Sequence, residues 1–166
     1  MPSIAQRSLG DLEHEMANTR RVLERYPAGK DDFTPHKKSW TLTKLATHLA
    51  SIPHYGTVTI ETSELDFARG GPPEPELQTS AVGLLAMFDR DWAEFRTALD
   101  STTDAALLEI WTMKNGDNVI LSMPRIAVMR GLIVNHMVHH RAQLTLYYRM
   151  LDIPVPALYG PSADEN

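Results

Sequence analysis

Apolar residues recur at intervals of three and four along four separate stretches of this chain, and that period constrains the fold more than any other feature. On an α-helix such positions share one side, so each stretch carries an apolar stripe that needs a partner to bury it. Residues 3 to 26 place Leu9, Leu12, Met16, Val22, Leu23 and Tyr26 on one such stripe, with Asp11, Glu13, Glu15, Arg20 and Arg21 between them, and the run ends near Pro27 and Gly29. Ser39 is positioned to cap a second helix, with Trp40, Leu42, Leu45, Leu49 and Ile52 as its stripe and Pro53 as a break or kink. The third helix is the cleanest: from a cap at Thr79 or Ser80 it runs to about Leu99 through Ala81, Leu85, Phe88, Trp92, Phe95 and Leu99. The fourth takes Pro124 into its first turn and continues to about Asp152, before the breaking sequence IPVP.

The intervening segments read differently. KDDFTPHKKS carries charge without periodicity and is a loop, and DFARGGPPEPELQ has too many glycines and prolines for a regular element. YGTVTIETSEL is rich in β-branched residues and ambiguous, with a lean toward helical continuation. Asn115-Gly116, between LEIWTMK and DNVILSM, suits the two positive-φ positions of a type I′ turn and predicts a short hairpin. With no βαβ alternation and no internal repeat, the expected fold class is all-α, a four-helix bundle with a short hairpin before the last helix. A chain of 166 residues with 43% hydrophobic content supports one core, so residues 1–166 are expected to form a single domain.

Composition removes several function classes. The net charge of −5 offers no basic footprint for a phosphate backbone, which argues against nucleic acid as a partner. The absence of cysteine excludes disulfides, thiolate metal ligands and a cysteine nucleophile together. Any thiol chemistry would take its sulfur from a small molecule. MPSIAQRSLGDLEHEM lacks the basic and apolar regions of a signal peptide, and no apolar run is long enough to span a bilayer, so a cytoplasmic protein without a membrane partner is expected.

The chemistry concentrates in NHMVHHRAQL. Met129, Ile133, Met137, Leu144, Tyr148 and Leu151 define the inward side of the last helix, and His136 and His140 fall in the same arc, whereas His139 is rotated away by roughly 100°. Imidazoles at i and i+4 stand about 5–6 Å apart at Cβ and can converge on one ion. A third ligand from a facing helix would leave remaining coordination open to substrate, as in catalytic rather than structural zinc sites. His48, between Leu45 and Ile52 on the buried stripe of the second helix, is the candidate. On spacing and face alone, a metal site and a set of histidines hydrogen-bonded to buried carbonyls or carboxylates are equally open.

SWTLTKLATHLASIP and NHMVHHRAQLTLYYRMLDIPVPALYGPSADE resemble the two signature segments of the DinB-like, damage-inducible family, and the similarity of helix order extends over nearly the whole chain. The resemblance implies a four-helix bundle with a metal-binding triad of His48, His136 and His140, with zinc or nickel as the expected ion. It also implies association through helix faces, hence a homodimer. The family's wider relatives include transferases and isomerases that use low-molecular-weight thiols such as mycothiol or bacillithiol, which implies such a thiol as a second cofactor.

A three-histidine site with open positions can polarise a carbonyl, acidify water, or activate a thiol. The expected function is therefore a metal-dependent, thiol-using S-transferase or a hydrolase acting on a small electrophilic substrate. The alternative is a non-enzymatic metal-binding module for stress response or association. Gln143 and Tyr147, three and seven residues past His140, prolong the histidine face and are candidates to line the pocket and contact a cofactor, with packing or support of a ligand histidine equally open. HMVHH has Met137 where a His-Glu-x-x-His protease needs glutamate, which disfavours peptide hydrolysis. Asp89, Asp91, Glu61 and Glu64 are carboxylates able to enter the site or orient a ligand histidine, but their helix faces read as solvated. Arg141 is expected to make a structural ion pair or to end the helix. His14, His36 and His139 are read as surface groups, with His139 also suited to a subunit interface, and His54 as a solvated loop residue.

Overall fold

The computed structural model describes residues 3–71 and 73–166, with the side chains of residues 4–9, and so the inward placement of Leu9, outside that description. Three long helices, α1 (Ile4–Leu23), α2 (Leu42–Glu61) and α3 (Ala81–Ser101), pack with a fourth helical run that starts at Arg125 and ends at Met150. A short helix, α4 (Asp104–Leu108), leads into the hairpin β2 (Ile110–Asn115) and β3 (Asn118–Pro124). The apolar stripes meet as the sequence pattern requires. Leu12, Met16 and Leu23 of α1, Leu45 and Leu49 of α2, Phe88 and Phe95 of α3, and Ile133, Met137 and Leu144 of the last run are all at most 2% exposed. On α3 the buried stripe is centred on Leu84, Phe88 and Phe95, while Leu85 and Trp92 are only partly buried at its edge.

Local chemistry sets the boundaries, and several differ from expectation. Thr41, not Ser39, caps α2, its hydroxyl accepting the Lys44 N–H at 3.3 Å, so Trp40 lies just before the helix. Pro53 does not end α2, which continues to Glu61, where the Thr62 N–H and hydroxyl both donate to the Val58 carbonyl. Ser80 caps α3 through the Gly83 N–H. Pro124 sits at the N-cap of the last run rather than within its first turn.

The all-α expectation needs correction. The last two residues of the ambiguous β-branched segment, with Asp66 of the stretch expected to be irregular, form a strand, β1 (Glu64–Asp66), that pairs in parallel with β2, so the hairpin becomes a three-stranded sheet of order β1-β2-β3. Once Thr62 has closed α2, the backbone groups of the next residues need partners, and β2 supplies them: the Thr112 N–H donates to Ser63 O at 3.2 Å. Leu65, Trp111, Met113 and Val128 bury a small second core beneath the sheet. The hairpin turn also differs from the expected I′ form. Gly116-Asp117 is the two-residue connection and Gly116 alone has positive φ, at 59°, the pattern of a II′ turn with glycine first.

Arg125 links this sheet to the helices. Its buried guanidinium donates to Thr59 O, Thr62 O and Ala106 O and pairs with Glu109 at 2.8 Å, satisfying carbonyls at the ends of α2 and α4. The last run is not uniform. It comprises α5 (Arg125–Val128), a π-helical segment (Met129–Asn135) and α6 (His136–Met150). Inward residues through the π segment, Met129, Ile133 and Met137, are spaced by four without the alternating three of an α-helix, and the wider turns keep them in one line. His136 begins α6 directly after it.

Candidate metal centre

α2 and α6 face each other across the core and bring three imidazoles together. His136 Nε2 lies 3.3 Å from His48 Nε2 and 2.8 Å from His140 Nε2, and one ring nitrogen of each histidine lies within 4.8 Å of the others. Among the described residues this is the group of His, Asp or Glu side chains arranged to hold an ion. His140 is 9% exposed, and His48 and His136 are half-buried.

The second nitrogens decide where the lone pairs point. His136 Nδ1 is 3.3 Å from Leu132 O, a carbonyl that can only accept, so Nδ1 carries the proton and Nε2 presents its lone pair to the triad. His140 Nδ1 likewise donates to Gln143 Oε1 at 2.8 Å. Two such lone pairs meeting at 2.8 Å repel each other unless a proton or a metal cation lies between them, and imidazoles held by carbonyl oxygens in this way are usual among metal ligands. The π segment contributes directly: the His136 backbone N–H turns to Ile133 O, and Leu132 O takes the ring N–H.

Electrostatics favour the same state. Burial, reinforced by the His140 and His136 rings and by Lys44, pushes His48 from the ordinary 6.5 down to about 4. Burial also lowers His136 and His140, against the opposing pull of their bonds to Leu132 O and Gln143. Neutral imidazoles are the ligating form.

Trp40 covers two of the three rings. It stacks on His140 with centroids 5.6 Å apart and planes 19° apart, and meets His48 edge-on at 5.2 Å. Tyr147 OH donates to the Trp40 carbonyl at 3.1 Å and fixes the backbone there. Lys38, Ser39, Trp40, His140, Gln143 and Tyr147 border a recess of about 270 Å³.

The model of the DinB family matches residues 1–166. This chain belongs to the DinB family. An uncharacterised protein, YrdA, of Bacillus subtilis strain 168 is 29% identical over 130 residues, 77% of this chain and 71% of that one. The crystal structure of a DinB-like protein from Bacillus cereus ATCC 10987 is similar with a TM-score of 0.69 at 24% identity, covering 91% of this chain and 95% of the other. A DinB-like protein of Bacillus subtilis, YjoA, gives a TM-score of 0.64 at 17% identity over 86% and 90% of the two chains. These two share the fold.

In this DinB-family chain the residues expected at the triad divide cleanly. His48, His136 and His140 converge, Gln143 reaches His140, and Tyr147 acts on Trp40 rather than on an imidazole. The carboxylates stay away. Asp89 pairs with Arg20 at 3.0 Å, Glu64 with Lys114 at 2.7 Å, and Glu61 is exposed. Asp91 is 3% exposed rather than solvated, yet it pairs with Arg90 at 2.7 Å and borders a different recess beside His54. His54 is half-buried on α2, because that helix passes through Pro53, and is not a loop residue. Arg141 makes the expected structural ion pair, to Glu15 at 2.5 Å, and does not end the helix. Trp40 was legible only as an apolar stripe residue; its position directly before the Thr41 cap, where the chain turns out of the helix, was the available signal of another role.

No described helix is long and apolar enough to cross a membrane.

Proposed function

We propose that His48, His136 and His140 hold one divalent cation, zinc or nickel, and that the protein is an enzyme acting on a small electrophilic molecule as a thiol-dependent S-transferase or as a hydrolase. The observation that carries this reading is the convergence of three Nε2 atoms, two with their Nδ1–H already committed to carbonyl oxygens. A divalent cation held there would supply Lewis acidity, to polarise an electrophile or acidify a thiol or water.

The protein's own groups divide the remaining work. Leu132 O and Gln143 hold two rings in the ligating tautomer. Trp40 keeps water from His48 and His140, and Tyr147 keeps Trp40 in place. The recess lined by Lys38, Ser39 and Gln143 offers an ammonium, a hydroxyl and an amide beside His140, groups suited to the polar part of a thiol cosubstrate. The chain's lack of cysteine fits a thiol supplied from outside.

Elemental analysis of untagged protein, with and without His136→Ala, tests the site. One equivalent of divalent ion is expected in the wild type and a large loss in the variant. Absence of ion from the wild type, or retention by the variant, sinks the reading. With metal established, cellular thiols paired with electrophiles distinguish transfer from hydrolysis.

A further inference from the structure

His136 borders a space separate from the recess beside His140, one that neither Trp40 nor Gln143 lines. A cleft of about 500 Å³ runs along the opposite flank of the last helical run, between it and β3. Ala127 and Val128, then Gly131 and Leu132, supply apolar surface with Leu121 and Met123 of β3 facing them. The next turns bring Asn135, His136 and His139, whose carbon atoms continue the apolar surface up to the triad histidine. Period-2 alternation on β3 aims Leu121 and Met123 inward while Ser122 bonds outward to Thr112 at 3.0 Å.

Gly131 is the most informative wall residue. Glycine inside a helix costs roughly 1 kcal/mol relative to alanine. Packing does not require it, because a Cβ built there meets no atom within 4 Å. What the missing side chain preserves is the open space of the cleft. The π-helical segment that carries Gly131 ends at His136, which links the shape of the cleft to the placement of the triad.

We infer that this cleft binds the apolar body of the substrate, an uncharged small molecule that lies against the carbon face of the His136 ring. The volume is in the range of small-molecule sites, roughly 300–1,000 Å³, and such sites are lined predominantly by apolar side chains. Continuity with His136 selects this occupant over a second copy of the chain. The role assigned to the ligand rests on the triad being a reaction centre; the existence of the binding site does not.

The test titrates metal-free protein with N-phenyl-1-naphthylamine, an uncharged dye that brightens in apolar surroundings. Wild type is expected to bind one equivalent saturably. Gly131→Leu places a side chain in the empty space and is expected to weaken the dye roughly tenfold or more, with its unfolding transition no lower than wild type. Ala127→Phe blocks the cleft from a neighbouring turn and should act in the same direction, while Val82→Ser, at a 79% exposed position on α3 outside the cleft, should leave binding unchanged. Wild-type affinity in both folded blocking variants overturns the inference, as does a change of oligomeric state in Gly131→Leu with dye binding intact, which would assign the cleft to a second copy. Cobalt(II) uptake, read by visible absorption, is expected to be equal in wild type and Gly131→Leu. Its loss in that variant alone would mean that residue 131 acts through the triad and would overturn the cleft. Its absence from every protein would remove the triad reading and leave the cleft to the dye titration.

Discussion

His140 and Arg141 are neighbours on one helix, both buried, and they solve the problem of burying a polar group in opposite ways. Arg141, 1% exposed, is complete within the chain: it donates to Glu15 O at 2.9 Å and Thr19 Oγ1 at 3.0 Å, pairs with the Glu15 carboxylate, and meets the Tyr159 hydroxyl. Tyr159 also donates to Glu15 at 2.6 Å, so the tail after α6 is fastened to α1 through the same group. His140 and His136 are satisfied on their outer nitrogens and turn their Nε2 lone pairs toward each other and toward His48 Nε2. A buried polar group whose partners all come from the fold serves stability; a set completed only by something from outside marks a site.

If that contrast is right, substitutions on the two sides separate stability from ligand binding. The largest effect on folding is expected from Arg141→Met, which leaves the Glu15 carboxylate without its cation and should lower stability by roughly 3–5 kcal/mol in urea unfolding. His136→Ala should do the reverse. Its metal-free unfolding curve should stay near wild type, while affinity for zinc falls by more than the roughly 10–100-fold typical of losing an outer hydrogen bond. Zinc at one hundred times Kd should stabilise the wild type by about 2.7 kcal/mol through mass action and so raise its melting temperature, and should not raise that of this variant. Gln143→Leu removes only the bond that orients His140, and a loss of zinc affinity of roughly 10–100-fold, measured by competition with a chelating dye, is expected. Unchanged affinity would mean that Gln143 lines the recess without orienting the ligand.

The smallest effect is the pH dependence of the metal-free protein. His48 titrates near 6.5 when unfolded and at about 4 when folded, so between those values the unfolded chain binds the extra proton. Stability associated with the neutral ring is therefore full above about 6.5 and declines as pH falls toward 4, with partial solvent access reducing its size. His136 and His140 shift in the same direction. Unfolding curves between pH 7 and 4.5 should show this decline in wild type and less of it in His48→Gln. An equal slope in both would place the proton uptake elsewhere.

Much of the helical frame was legible because its signal is local. Leu12, Met16, Leu45, Leu49, Phe88 and Leu144 sit where a period of 3.6 puts them. The pair His136 and His140 was visible for the same reason, and His48 because it shares a turn with Leu45 and Leu49. The errors fell where a non-local partner decides. β1 exists because β2 is beside it, Trp40 is a roof because His140 lies beneath it, and Asp91 is buried by what packs over α3 rather than by its own neighbours in sequence. Pro53 was read as a break or kink on local rules, and the helix runs through it to Glu61, in line with the lean toward helix for the segment that follows.

The sequence by itself determined which residues turn inward and that two imidazoles share one helix face, because side-chain direction follows from helix geometry alone. Family membership was also readable there, in LATHLASIP and HMVHHRAQL. Only the tertiary structure decided that His48 meets that pair, that Leu132 O and Gln143 accept from the outer nitrogens of His136 and His140, and that His140 borders a polar recess while His136, at the end of a π-helical segment, borders an apolar cleft. Those outcomes depend on distances between elements far apart in the chain, and no periodicity within a single element encodes them.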